Sequence, residues 1–221
     1  MSTRTPAPAT PAAAACERCA KPQAVCICDR VQPVATRLRV LILQHPREDD
    51  ALLGTARLVT LTLPAAAIKV GLSWASLDHA LGTSGVDRDR WAVLAAARLS
   101  PAMQAAASGP VSVIERTGKA RSTERHELDG LIVLDGTWSQ AKTLWWRNPW
   151  LLKLPRIVLT PREPSMYGRM RREPRAEWVS TLEAVAEVLP ALGEPPAARD
   201  SLRRLLRTLL QRVRDTKGRL K

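Results

Sequence analysis

The sequence predicts an α/β domain built on a mostly parallel β-sheet with helices on both faces. Short apolar runs of strand length alternate along the chain with segments of helical periodicity, which is the pattern of strand–helix–strand units. The first run, RLRVLILQ at 37–44, is apolar without alternation, as expected for a parallel strand that is buried on both faces. A length of 221 residues fits one domain of this kind plus a small accessory element.

The individual elements follow from the order of these runs. Segments 82–85 and 108–118 carry glycine and turn residues and are interpreted as loops or edge hairpins. After the first strand, Leu52, Ala56, Val59 and Leu63 recur at helical spacing. The strands are predicted at 37–44, 91–97, 131–134 and 156–159. The helices are predicted at 50–63, 139–147, 181–189 and 201–213.

The amino-terminal segment 1–15 is dominated by alanine, proline and threonine, and it is predicted to be a disordered tail. It holds no apolar stretch long enough for a signal peptide, and no later run reaches membrane-spanning length. We therefore expect a cytoplasmic protein with no membrane partner.

All four cysteines lie between positions 16 and 28 in the pattern C-x2-C-x6-C-x-C. Four thiolates satisfy the tetrahedral coordination of zinc, and a close C-x2-C pair can turn back so that both sulfurs meet one ion. We predict a structural zinc knuckle over 16–33, because four sulfur ligands leave no open position for substrate or water. The tight C-x-C half leaves an iron–sulfur site or reduced thiols as alternatives. The predicted ligands are Cys16, Cys19, Cys26 and Cys28.

The formal net charge of +13 and the pI near 10.7 favour a polyanionic partner, such as RNA, DNA or an anionic surface. Arginine also serves solubility, so charge alone does not name the ligand. The segment at 161–175 gathers arginines around the single tyrosine, which suits phosphate contacts and stacking on a base; a solvated loop is the alternative. The predicted RNA contacts here are Arg162, Tyr167, Arg169, Arg171 and Arg172.

The predicted helix at 201–213 pairs a leucine stripe with an arginine face. Docking of the stripe on the core, with the basic face in solvent, is the expected arrangement. Added affinity for RNA is a secondary interpretation of the same arginines.

The motif LDGTW at 134–138 sets a carboxylate, a hydroxyl and an indole together where the apolar run 131–134 ends. Binding and catalytic residues of α/β proteins collect at the carboxyl ends of strands, so Asp135 is the leading candidate for chemistry. The chain has no Walker or G-x-G-x-x-G motif, and use of a nucleoside triphosphate or dinucleotide therefore has no local support.

Aromatic residues and a histidine near this motif have two interpretations each. Trp138 is interpreted as a stacking surface for adenine or for the target base, with core filling as the alternative. His45 follows the first strand and is either a substrate contact or an ordinary turn histidine. Packing on the sheet is expected for Trp145, Trp146 and Trp150.

The order of motifs along the chain resembles that of the DTW-domain proteins. It comprises the cysteine cluster, QHP after the first strand, GTAR at 54–57, LDGTWSQAK at 134–142 and STLEAVAEVL at 180–189. The likeness runs from position 16 to about 189 and assigns 34–221 as a DTW catalytic domain. These proteins resemble tRNA-uridine aminocarboxypropyltransferases, and this chain is similar to bacterial members.

This resemblance implies transfer of the 3-amino-3-carboxypropyl group of S-adenosylmethionine to N3 of a uridine in the variable loop of tRNA, leaving methylthioadenosine. It also implies a SPOUT-like fold with a knotted sheet edge that binds the cofactor, in a monomer or a homodimer with no other protein partner. Two alternatives stay open. One is a SPOUT-like RNA methyltransferase, and the other is a non-catalytic zinc-containing RNA-binding protein.

The resemblance also assigns roles to residues. Asp135 is either the general base that takes the N3 proton or a ligand of the cofactor's ammonium or ribose. Arg57 suits the cofactor's carboxylate, although Gly54 stands where many members carry asparagine. The segment 180–183 is both a helix cap and an anion site. The predicted cofactor-binding residues are Thr55, Arg57, Gly136, Thr137, Trp138, Ser180, Thr181 and Glu183, and His45 joins the RNA contacts.

Overall fold

The computed structural model describes residues 15–48, 50–94, 105–107, 109–121, 128–161, 163–170 and 179–218. Several predictions fall outside these residues: the tail at 1–14, the end of the second predicted strand at 95–97, and three RNA contacts. Those contacts are Arg162, Arg171 and Arg172, and the side chain of Arg169 is not described either.

A six-stranded sheet forms the centre of the described chain. Its strands are β1 (Arg39–Gln44), β2 (Ala66–Val70), β3 (Trp91–Leu94), β4 (Val111–Ile114), β5 (Gly130–Asp135) and β6 (Arg156–Leu159). The strand order is β2-β1-β5-β3-β6-β4, and every neighbouring pair is parallel except β6 and β4. The predicted α/β class and mostly parallel sheet are thereby confirmed.

Helices lie on both faces of this sheet. The described α-helices are α1 (Ala56–Thr62), α2 (Leu77–Leu81), α3 (Trp138–Arg147), α4 (Thr181–Ala191) and α5 (Pro196–Gly218). Among the described helices, none combines the length and the apolar character needed to cross a membrane.

Alternate residues of β1 supply two hydrophobic clusters, one on each face of the sheet. Val40 and Ile42 belong to the larger cluster, which also takes the buried faces of α1, α4 and α5. Leu41 and Leu43 belong to the smaller cluster, which is built around Trp91. Because side chains of a strand alternate between faces, burial on both sides explains why the run at 37–44 has no polar alternation.

The cysteine segment packs into the same core as the sheet. It contains two 3-10 helices, Gln23–Val25 and Cys28–Arg30, and Val25 and Ile27 are buried in the larger cluster. Ser201 in α5 donates a hydrogen bond to the carbonyl oxygen of Gln32 at 3.0 Å. The knuckle is therefore fastened along α5 and forms one wall of the core.

Two elements were not predicted. The edge strand β2 pairs with β1 along one side only and is largely exposed. Its sequence, AAIKV, is therefore only weakly apolar and gives little strand signal. Helix α2 has five residues, too few for a periodicity signal, although Ser76 caps its start and Gly82, with φ of 70°, ends it in the left-handed conformation.

Three predicted helices have different boundaries in the structure, and one predicted loop contains a strand. The helix predicted at 50–63 begins only at Ala56, because Asp50 closes a turn by accepting hydrogen bonds from the amides of Leu53 and Gly54. The helices predicted at 181–189 and 201–213 both extend further, as α4 and α5. The segment 108–118 contains the antiparallel edge strand β4, in agreement with an edge hairpin.

The three tryptophans that were expected to pack on the sheet separate into two classes. Trp150 is buried and its indole N–H donates to the carbonyl oxygen of Trp74 at 2.9 Å, and the Trp145 ring lies 4.8 Å from the Arg156 guanidinium. Trp146 is 65% exposed, so that prediction is wrong for this residue. Consecutive residues on a helix point about 100° apart, and Trp145 already takes the inward position.

Candidate functional site

The carboxylate of Asp135 lies where β1, β5 and α4 meet. Gln44 and Asp135 are register partners at the carboxyl ends of β1 and β5, and Asp135 is 7% exposed. The Gln44 side-chain amide donates to Oδ2 at 2.8 Å, and the Thr181 hydroxyl donates to Oδ1. Each oxygen is thus held by a different element, and each keeps lone-pair capacity for a substrate proton or donor.

The residues after Asp135 turn the chain sharply into α3. Gly136 has φ of 144°, and a Cβ at this position would lie 2.8 Å from Oε1 of Gln140. Thr137 and Gln140 form a capping box, in which the Thr137 amide donates to Gln140 Oε1 at 2.6 Å. Trp138, the first residue of α3, is half-buried. The motif therefore places a sharp backbone turn and the capped start of α3 directly after the carboxylate residue.

A second capping box starts α4 and separates the roles of its residues. Ser180 accepts from the Glu183 amide at 3.3 Å, and Glu183 accepts from the Ser180 amide at 2.9 Å. Glu183 is 5% exposed and also accepts from the Ser165 hydroxyl and the Met166 amide. Ser180 and Glu183 thus have the capping geometry, whereas Thr181 directs its hydroxyl to Asp135.

The GTAR loop supplies a buried hydroxyl and an exposed cation. Thr55 is 3% exposed, and its hydroxyl accepts from the Leu182 amide in the first turn of α4 at 3.3 Å. Arg57 is exposed and makes no ion pair within the described residues. A Cβ at Gly54 would lie 2.6 Å from the Asp50 carbonyl oxygen, so the asparagine common in similar proteins would require the loop to shift.

Lys21 was missed by the sequence analysis, because a lysine inside a knuckle carries no signal of where it points. Its side chain is buried, and its ammonium donates to the Gly54 carbonyl oxygen at 2.5 Å. Burial lowers the pKa of Lys21 to about 8, and the charges of Asp50 and Cys19 oppose this shift. Lys21 therefore connects the knuckle directly to the GTAR loop.

Of the predicted RNA contacts, the described ones show little exposed surface. Tyr167 is 2% exposed and its hydroxyl donates to the Leu53 carbonyl oxygen at 2.7 Å. The prediction that this ring stacks on a base is wrong, because the ring is packed in the larger hydrophobic cluster. His45 is 9% exposed and its Nδ1 accepts from the Arg47 amide at 3.1 Å, which is the geometry of a turn histidine.

The four cysteine sulfurs form a compact cluster of free thiols. All Sγ atoms lie within 4.8 Å of one another, and the pairs Cys16–Cys28 and Cys19–Cys26 are each 3.7 Å apart. A tetrahedral zinc ion with Zn–S bonds of about 2.3 Å separates its sulfurs by about 3.8 Å. Amides of Cys19 and Arg18 lower the pKa of Cys16 to about 6. The donor set and spacing fit one metal ion.

Comparisons with known proteins agree with this arrangement of motifs. A family model described as the DTW domain matches residues 13–214. The chain is 29% identical over 204 residues to tRNA-uridine aminocarboxypropyltransferase 2 of Mus musculus, covering 88% of this chain and 61% of the mouse protein. It is 29% identical over 196 residues to the Drosophila melanogaster protein of that name, covering 88% and 72%. No solved structure matches the chain.

A plant relative extends the comparison. The chain is 27% identical over 225 residues to tRNA-uridine aminocarboxypropyltransferase A of Arabidopsis thaliana, covering 90% of this chain and 79% of the plant protein. The chain spans about three fifths of the length of the mammalian relatives.

Proposed function

This chain belongs to the DTW-domain family, and from that premise we propose that it transfers the 3-amino-3-carboxypropyl group of S-adenosylmethionine to N3 of a uridine in tRNA. The names of the relatives from mouse, fly and plant support this activity. The observation that carries it in this chain is the Asp135 carboxylate, which Gln44 and Thr181 hold at the carboxyl edge of the sheet.

The proposed step forms a bond between N3 of uridine and the carbon of the transferred group, and it breaks the bond from that carbon to the sulfonium sulfur. S-adenosylmethionine, when bound, supplies the electrophilic carbon and leaves as neutral methylthioadenosine. The N3 proton passes to a base, for which Asp135 is placed, because its oxygens accept only two described side-chain hydrogen bonds. Binding of the cofactor's ammonium is the alternative role of this carboxylate.

Other residues at the same edge suit the remaining groups of the cofactor and the base. Arg57 is exposed and unpaired among the described residues, as a partner for a carboxylate would be. Trp138, three residues after Asp135 in the chain, is half-buried and offers an indole for stacking. Gly136 and Thr137 place main-chain atoms directly after Asp135. The Thr55 hydroxyl links the GTAR loop to α4, and the Thr181 hydroxyl links α4 to Asp135. The transfer step itself needs no metal ion, since the leaving thioether is neutral.

The finer assignments of fold and cofactor are also part of this proposal. The parallel order in which β5 lies between β1 and β3 supports a SPOUT-like fold, and the knot follows the family resemblance alone. Four thiols at zinc-like spacing support a structural Zn²⁺ ion, and a site of four thiolates suits the reducing cytoplasm.

Nucleoside mass spectrometry on unmodified tRNA tests the function. Purified protein with S-adenosylmethionine should add a whole aminocarboxypropyl group to uridine, and Asp135→Asn should abolish this gain. Asp129→Asn is the matched control, because Asp129 lies at the opposite end of β5 in an exposed ion pair with Arg90. It should leave transfer unchanged. A methyl-sized gain would make the protein a methyltransferase, and no gain with retained RNA binding would favour a non-catalytic RNA-binding protein.

Calorimetry on the same variant decides between the two roles of Asp135. Retained binding of S-adenosylmethionine by Asp135→Asn assigns the carboxylate as the base. Lost binding assigns it as a cofactor ligand.

A further inference from the structure

A basic groove runs between the cysteine knuckle and the carboxyl-terminal half of α5. Its volume is about 640 Å³, and eight of its nine lining residues are polar or charged, Leu205 being the apolar one. Pockets for small organic ligands are lined mainly by apolar and aromatic side chains. The apolar stems of these long side chains form most of the lining surface, but their head groups are charged, so the groove suits an anionic ligand.

The groove carries four guanidinium groups against one carboxylate. Arg30 and Arg212 share the single acid, with nitrogen–oxygen distances to Asp29 of 3.1 and 2.9 Å. Arg204 donates to the neutral side chain of Gln32 at 2.7 Å, and Arg207 is exposed without an ion pair among the described residues. The groove thus keeps an uncompensated positive charge.

The neighbouring face of α5 provides a direct contrast. Arg203 is bound by both Glu163 and Glu187, and Arg199 lies 3.3 Å from Glu187. Two arginines meet two carboxylates there, so their charges cancel. Since three of the four groove arginines lie on the same helix as Arg199 and Arg203, the excess charge is a property of the groove face and not of arginine content in general.

The exposed polar residues of the groove follow one another at helical spacing. Arg204, Arg207, Thr208 and Gln211 lie at i, i+3, i+4 and i+7, which places them along one stripe of α5. Guanidinium forks and side-chain hydroxyl or amide donors are the groups that proteins use for phosphate oxygens. Thr208 donates to the Arg204 carbonyl oxygen and Gln211 donates to Asp215, so the charged donors of this stripe are the guanidinium groups. A row of guanidinium groups along a helix matches a phosphodiester chain better than a single ion.

The groove is also linked to the candidate site through the knuckle. One side of the knuckle reaches the GTAR loop through Lys21, and the other side lines the groove with Asp29 and Arg30. The start of α5 follows Glu194, which accepts from the amides of Arg37 and Leu38 before β1, and its later part reaches the knuckle through the Arg212–Asp29 contact. The knuckle is therefore in contact both with the groove and with the GTAR loop.

We infer that this groove binds the phosphate backbone of the RNA substrate at a distance from the reacting base. The identity of that RNA as tRNA rests on the proposed function, whereas the groove's affinity for RNA does not require turnover. Contacts of this kind fix the position of the RNA and carry no sequence preference.

Fluorescence anisotropy with labelled, unmodified tRNA over a range of KCl concentrations tests the inference on the full chain. Arg207→Ala and Arg30→Ala should each weaken binding several-fold at low salt and reduce the slope of log K against log salt by about one. Arg116→Ala is the matched control, because Arg116 is exposed in the turn after the edge strand β4 and does not line the groove. It removes the same charge and should change neither quantity. Thermal melting checks that each variant is folded.

The possible outcomes distinguish a failure of the groove inference from a failure of the proposed function. Unchanged affinity of the Arg207 and Arg30 variants, or an equal loss in Arg116→Ala, overturns the inference even if the wild-type protein modifies tRNA. Groove-dependent tRNA binding without any transfer overturns the proposed function and leaves the inference standing. Loss of binding to phosphatidylglycerol vesicles, with tRNA affinity intact, would assign the groove to a membrane surface and also overturn it.

Discussion

Two adjacent hydroxyl residues at the start of α4, one of them bonded to Asp135, serve different purposes. Ser180 and Thr181 both carry hydroxyl groups at the beginning of α4, yet Ser180 caps the helix and Thr181 donates to the Asp135 carboxylate. A hydrogen bond to a charged group is worth about 1.5–3 kcal/mol. The two hydroxyls should therefore separate in their effects on rate.

Thr181→Val removes the donor to Asp135 and keeps the side-chain shape. We expect the turnover rate for tRNA modification to fall by about tenfold or more, since that hydrogen bond orients the carboxylate, and the free energy of unfolding to fall by about 1–3 kcal/mol, since a buried carboxylate oxygen loses its donor. Ser180→Ala should cost about 1 kcal/mol of stability through loss of the cap and should affect turnover less. Rate assays and urea unfolding of both variants check this. Equal losses of rate in the two variants would show that the hydroxyls act together through the helix start.

The elements that the sequence predicts well are those with a local signal. The strands β1 and β5 are continuous apolar runs, and the helix starts at Thr137 and Ser180 carry capping boxes within four residues. The edge strand β2 and the short helix α2 have no comparable signal. Local pattern therefore accounts for the buried centre of the fold and not for its edge.

The candidate site was predictable in its motif and not in its contacts. Asp135 was identified because it ends a buried strand, but its partner Thr181 is 46 positions away and Lys21 meets Gly54 over 33 positions. Such contacts depend on which strands are neighbours, and periodicity does not determine strand order. Tyr167 was predicted to stack on an RNA base from its arginine-rich surroundings, yet the ring is buried and its hydroxyl bonds to Leu53, 114 positions away.

The structural zinc ion proposed for the cysteine knuckle would contribute to the stability of this element. Cys26→Ser should lower the zinc content from one ion per chain and reduce the melting temperature, because the four-ligand site would lose a thiolate. A loss of about 3 kcal/mol corresponds to roughly 10 °C in a chain of this size. Elemental analysis and calorimetry measure both effects.

The exposed knuckle residue Gln23 provides the control for this change. Gln23→Ala should retain one zinc ion and the wild-type melting temperature. Full metal content in Cys26→Ser would contradict a four-thiolate site, and iron in place of zinc would assign an iron site.

On the scale of the whole molecule, Glu194 joins the first strand to the turn between the last two described helices. It is 5% exposed, and its carboxylate accepts from the amides of Arg37 and Leu38 at 3.0 and 2.9 Å. These amides precede β1, while Glu194 precedes α5, so the contact spans 156 positions or more. Removing it leaves buried donors without an acceptor.

Glu194→Ala should reduce the free energy of unfolding by about 2–4 kcal/mol, since two amides lose their acceptor. Glu194→Gln retains one oxygen and should have a smaller effect. Urea denaturation measures the difference, with Glu163→Ala as the control, because Glu163 is exposed and its loss should change stability little. A small effect of Glu194→Ala would mean that water replaces the carboxylate.

The docking of the knuckle on α5 has a consequence for biosynthesis. Asp29 and Arg212 are 183 positions apart, which corresponds to roughly 10–40 s of translation at bacterial to eukaryotic speeds. The cysteines, separated by no more than 12 positions, can take up an ion on the nascent chain well within that interval. Val25 and Ile27 stay exposed until α5 has left the ribosome, so the larger core closes late. Until then, the apolar surface of the knuckle is the part of the nascent chain that most needs a chaperone.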